Sequence, residues 1–155
     1  MSRYAANTSV SVEKSRAEIE RILQRYGCDD FAYRNNRHRA QIAFSMNERM
    51  VRFDLELPDP EQFRPTPAGR RRRNDASTHK AWEQACRQRW RALALVIKAK
   101  LEAVEAGITT FDVEFLPHMI VPGGKVFHEV ALPQIEQAYL DGKMPPLLGP
   151  GHEPR

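Results

Sequence analysis

The stretch RAQIAFSMNERMVRFDLEL, residues 39–57, decides the fold. Ala40, Ile42, Phe44 and Met46 alternate with Arg39, Gln41, Ala43 and Ser45. After a turn at Asn47-Glu48, Val51, Phe53, Leu55 and Leu57 alternate with Arg52, Asp54 and Glu56. A period of two with one apolar and one polar face marks antiparallel strands covered on one side. Upstream, Phe31 and Tyr33 share a face of a further strand. Asn35-Asn36 supplies a tight turn, because asparagine tolerates positive φ better than most residues. The pattern predicts a three-stranded antiparallel meander over residues 30–58, ended by Pro58 and Pro60.

Helical spacing takes over on both sides. Ser11 can cap a helix running to about Tyr26, with Glu13 in its first turn and Gly27 as its stop. Val12, Ile19, Ile22, Leu23 and Tyr26 form its apolar stripe. A long helix is predicted from about Ser77 to Ala106, stopped by Gly107. Its stripe is Trp82, Cys86, Trp90, Leu93, Ile97, Leu101 and Val104. Residues 93–97 are apolar on every side, and Leu95 points away from the stripe. That excess calls for cover, from the C-terminal segment or from another chain in a homo-oligomer. Ile42, Phe44, Phe53, Leu55, Trp90 and Ile97 should share one core.

Residues 59–76 lack periodicity and hold Pro60, Pro65, Pro67 and Gly69, so they read as a long basic loop. Past Gly107, Thr109 or Thr110 can cap a short helix over 111–116. A small hairpin (118–121 and 125–127) turns at Pro122-Gly123-Gly124, and a last helix runs from Pro133 to Leu140. The Pro-Gly-Gly-Lys run at 122–125 is too short for a phosphate loop and leads into a strand, so it reads as a turn. The chain is therefore predicted to be one α+β domain over 11–141: helix, three-stranded antiparallel sheet, long helix, and a small C-terminal helix/hairpin cap. Residues 1–10 are expected to be a loose leader and 143–155 a disordered tail.

No stretch is apolar enough to span a membrane and no secretory signal is visible, which points to the cytoplasm. Cys28 and Cys86 show no metal or disulfide spacing and read as reduced thiols. No nucleotide-loop, zinc-protease or nucleophile-elbow motif occurs. His118 and His128 flank the predicted hairpin with Asp112, Glu114 and Glu129 nearby, and they read as partly exposed hairpin residues rather than metal ligands. No catalytic residue, metal or cofactor is implied, and a non-enzymatic role is expected.

Charge is the feature that stands out. The 155-residue chain carries a formal +4, unevenly placed. From Arg64 to Arg91 lie nine basic residues (Arg64, Arg70, Arg71, Arg72, Arg73, Lys80, Arg87, Arg89 and Arg91) against Asp75 and Glu83, so this segment carries +7 and the remainder −3. Lys80, Arg87, Arg91 and Lys98 fall within about 40° of one another on one flank of the long helix. Arg34, Arg37 and His38 sit at the first turn, and Arg39 and Arg52 on the polar face of the sheet. Such a concentration suits phosphate backbones. Arg64, Arg70, Arg71, Arg72, Arg73, Lys80, Arg87, Arg91 and Lys98 are the expected nucleic-acid contacts, with DNA favoured over RNA. Trp82 and Trp90 lie in the core stripe and are expected to be buried rather than offered to bases.

Two stretches carry a resemblance. SVEKSRAEI (11–19) and CRQRWRALALVIKAKLEAVEAGITTF (86–111) resemble a family of uncharacterised proteins of about this length encoded by tailed bacteriophages and prophages, over most of residues 10–141. The resemblance implies a role in phage DNA metabolism or in inhibiting a host defence, and it assigns no residue. The alternative function is accordingly a protein-binding module that inhibits a host protein, using the apolar excess near Leu95 and the C-terminal cap. By topology alone, single-strand annealing proteins and double-stranded-RNA-binding domains also combine three antiparallel strands with helices.

Overall fold

Ser11 accepts a hydrogen bond from the Lys14 amide at 3.2 Å and starts helix α1, Val12–Arg25. Three strands follow, β1 (Asp30–Asn35), β2 (Arg39–Met46) and β3 (Arg49–Glu56), then helices α2 (Asp75–Glu105), α3 (Phe111–Phe115) and α4 (Phe127–Asp141). This architecture comes from a computed structural model that describes residues 5–28 and 30–144. The chain is an α+β protein, with an antiparallel sheet in the order β1-β2-β3. Of the expected tail at 143–155, residues 145–155 lie outside the described residues, as do residues 1–4 of the expected leader.

The strands pair as their alternation predicts: Phe31 with Phe44, Tyr33 with Ile42, Phe44 with Val51 and Ile42 with Phe53. Asn47 and Glu48 both have positive φ (51° and 60°), the mirror-image turn that matches strand twist. The first turn differs from expectation. Asn35 stays in β1 opposite Ala40, and the reversal falls on residues 36–38. Asn36 works through its side chain rather than through positive φ, its Oδ1 accepting from the His38 and Arg39 amides at 2.9 and 2.8 Å.

One face of the sheet carries the core. Ile42, Phe44, Phe53, Trp90 and Ile97 are buried in a single cluster with Ile19, Leu23 and Leu101, while Leu55, near the end of the edge strand, is only partly covered. Phe115 stands edge-on to Phe44 and Phe53 and stacks on Phe111, with centroids 6.0, 6.3 and 4.7 Å away. Helices α1 and α2 are tied by ion pairing of Arg91 with Glu18 and by the Tyr26 hydroxyl donating to Glu102 at 2.7 Å. Gln84 Nε2 donates to the carbonyls of Ala6 and Thr8, which links residues 5–10 to α2.

The C-terminal part departs most from the sequence reading. Pro122–Lys125 is a turn, closed by the Val121 amide donating to Lys125 O at 2.9 Å, but its hairpin is a single bridge between Ile120 and Val126. The residues read as a second strand give way to α4 at Phe127, six positions before Pro133. Glu129 sets that start by accepting from the Val126 amide at 3.1 Å. Pro133, exposed inside the helix, lacks the amide that would bond back to Glu129, a loss one helix turn tolerates at the surface. Met119 and Ile120 lie along the outer edge of β3, Met119 bridging to Val51 and the Ile120 amide donating to Met50 O at 2.8 Å.

His118 stacks on Phe53 with centroids 4.1 Å apart, and the His128 ring is 5.9 Å away. No cluster of three or more His, Cys, Asp or Glu suited to a metal occurs among the described residues. Burial, then the Lys100 and His128 charges, push the His118 imidazole down to about 4. The unfolded chain therefore binds a proton between about pH 6.5 and 4 that the fold refuses, so stability falls as pH drops through that window. For a half-buried ring the loss is expected to be about 1–2 kcal/mol, less than the full shift because solvent screens the charge. Urea midpoints at pH 7 and pH 4.5 check this: His118→Gln should lose less stability across the interval than the parent.

Candidate functional site

The loop between β3 and α2 is built, not loose. Asp59 caps a short 3-10 turn, Pro60–Phe63, and the chain then doubles back, with Thr66 N donating to Arg71 O at 2.9 Å and Arg73 N to Arg64 O at 2.7 Å. Two of its arginines serve as internal struts. Arg73 Nη1 donates to the carbonyls of Phe63 and Pro65 at 2.8 and 3.0 Å. Arg64 bridges Glu61 at 2.9 Å and Asp75 at 2.5 Å, which raises its own affinity for a proton and holds the Glu61 carboxyl below its usual range. Arg70, Arg71 and Arg72 are exposed and make no side-chain hydrogen bond or ion pair among the described residues.

Helix α2 begins two residues before Ser77, where the Asn74 side chain accepts from the Ser77 amide at 2.8 Å. Its cationic flank is interrupted. Lys80 and Lys98 are exposed, but Arg87 donates to Gln84 Oε1 at 2.6 and 3.0 Å and Arg91 is paired with Glu18, both half-buried beside α1. Arg52 is likewise engaged, by Asp54, Glu129 and the Gly124 carbonyl. Burial pushes the Asp54 carboxyl up, and the Gln41 and Arg52 hydrogen bonds pull it further down.

The open cations collect at one end of the sheet, where the β1–β2 turn meets the start of α2. A cavity of about 370 Å³ lies between Ser11 and Val12 of α1's first turn, Asn36, Arg37, Leu57, and Trp82 of α2. A second, of about 430 Å³, is lined by Arg37, Pro60, Arg64, Thr78, His79 and Trp82. A third, of about 180 Å³, lies among Arg34, Asn36, Arg39 and Gln41. Arg37 and Trp82 line both of the first two, which adjoin as one groove; the third shares Asn36 with the first but lies on the polar face of the sheet. Arg34, Arg37 and Arg39 are exposed and have no side-chain hydrogen bond or ion pair among the described residues.

No family model, no curated protein and no solved structure matches this chain. Its chemistry is therefore read from the groove itself. Trp90 is buried as expected, packed on Tyr33 at 5.5 Å. Trp82 is not: it lies past the end of the sheet, half-buried, its Nε1 donating to Pro58 O at 2.8 Å. Next to it Thr78 is 3% exposed, and its Oγ1 has no hydrogen-bond partner among the described residues. Cys86 and Cys28 are both thiols; burial raises the pKa of Cys86, which dampens its reactivity. The first two cavities set Arg37, Arg64 and Arg87 beside the carboxylates Glu13, Glu61, Asp75 and Glu83, around the Trp82 and His79 rings, a set suited to binding.

Proposed function

We propose that this is a phage-derived accessory protein of the host cytoplasm that binds nucleic acid, DNA in the first place, without catalysing a reaction. The observation that carries the reading is the placement of Arg70, Arg71 and Arg72. An ordered loop, braced by Arg64 and Arg73, holds these side chains out exposed, with no side-chain hydrogen bond or ion pair among the described residues. A solvated charge run needs no such bracing. Lys80 extends this arginine-rich end along α2, Arg34 and Arg39 add cations on the polar face of the sheet, and Lys98 lies farther down α2. Among the described residues no helix is long and apolar enough to cross a membrane.

Mobility shifts with DNA and RNA across a salt series test the reading. Four to five phosphate contacts give a slope of log K against log[salt] of about −4. Absence of binding to either nucleic acid at low-millimolar salt sinks it.

A second reading, a protein-binding module that inhibits a host protein or self-associates, has its own support. Of the nine exposed large apolar side chains among the described residues, seven follow Gly107, with Tyr139 and Leu140 87% and 81% exposed. Leu95 is half-buried and its neighbour Val96 is 45% exposed. A partner held on this surface would survive moderate salt, unlike phosphate contacts.

A further inference from the structure

We propose that the groove beside Trp82 takes an unstacked base of single-stranded nucleic acid, with the indole as stacking wall. The proposal rests on the arginine-rich end binding the phosphate backbone and adds what the groove does there.

Each joined cavity, about 370 and about 430 Å³, falls in the roughly 300–1,000 Å³ range of small-ligand sites. Trp82 is a wall of both. Its N–H is already spent on the Pro58 carbonyl, which fixes the ring in place and leaves its π surface as what it has to offer. His79 widens the platform, its ring 5.3 Å from Trp82 and tilted by 34°. Arg37, common to both cavities and unpaired, is placed for the phosphate of the same nucleotide. A base stacked inside a duplex cannot enter a concave site without leaving the helix, so the groove selects for single strands.

The experiment titrates the full chain with oligothymidylate, with duplex DNA of the same length, and with thymidine monophosphate, reading anisotropy and tryptophan emission. Oligothymidylate is expected to bind more tightly than duplex and to quench emission. Quenching should vanish in Trp82→Phe, since Trp90 is 1% exposed. Trp82→Ala should weaken the single strand at least about fivefold, the low end for one base–aromatic stack, and leave duplex binding within about twofold. Because quenching is read on the unaltered protein, a poorly folded Trp82→Ala does not spare the proposal. Duplex binding equal to or tighter than single-strand binding, or saturation without quenching, overturns the base site and leaves the arginine reading standing. Quenching by the free monophosphate without strand binding overturns both, as does no binding at all.

Discussion

Replacing Arg70, Arg71 and Arg72 together with alanine is expected to remove most of the salt dependence of nucleic-acid binding. Each phosphate contact contributes about 0.9 to the slope, so three losses take it from about −4 to about −1.3. Between about 50 and about 200 mM salt the parent then loses about 250-fold in affinity and the variant about sixfold. Folding should be unaffected, because these side chains are exposed and make no side-chain hydrogen bond or ion pair among the described residues. Arg73→Ala is the control with the opposite signature. Its guanidinium closes the loop through the Phe63 and Pro65 carbonyls. Losing these charge-assisted bonds at a half-exposed site is expected to cost about 1 kcal/mol, a fall of roughly 2–4 °C in melting temperature, with the slope nearly kept. An unchanged slope in the triple variant would show that its arginines are solvated charge and not contacts.

The largest effect on stability is expected at Phe115. It is fully buried on a five-residue helix that could not persist alone, and it joins Phe44, Phe53 and Phe111 in one aromatic cluster, with Lys100 Nζ 6.0 Å from its ring. Phe115→Ala removes the ring and leaves a cavity, costing about 3–5 kcal/mol. In a chain of this length that is a melting-temperature drop of roughly 8–16 °C. Phe115→Leu, which refills part of the space, should fall well short of that. A drop below about 3 °C for the alanine variant would mean that α3 does not close the core.

The sequence was legible where local pattern and tertiary demand agree. The alternation of residues 39–57 carries the register of β2 and β3, since a slip of one residue would turn Phe44 and Phe53 to solvent. Ser11 and Gly27 bound α1 for the same reason, their chemistry being spent on the neighbouring backbone. Failures came where a distant element decides the outcome. The regular spacing of Lys80, Arg87, Arg91 and Lys98 says nothing of α1, whose Glu18 takes Arg91, nor of Gln84, which takes Arg87. Trp82 fits the core stripe by spacing, yet that end of α2 runs beyond the sheet. Pro133 looked like a helix start because proline favours a first turn, but Glu129 had already supplied one. The groove was out of reach, because Arg37, Thr78 and Trp82 meet only after the β1–β2 turn folds against α2. Only the placement of Arg34, Arg37 and His38 at the first turn pointed toward that end of the sheet.

The strap of Met119 and Ile120 along β3 has a consequence for how the protein behaves at high concentration. Exposed sheet edges recruit strands from other chains, and unchecked recruitment on two sides builds fibres. Here the outer edge of β3 is already paired at Met50 and Val51, while no backbone bond reaches the outer edge of β1 among the described residues. A strand arriving from elsewhere finds the longer open run of amides along β1. Pairing of two copies there extends the sheets edge to edge, and the new sheet ends in two β3 strands, each covered at Met50 and Val51. The fold thus favours joining two copies over continued polymerisation.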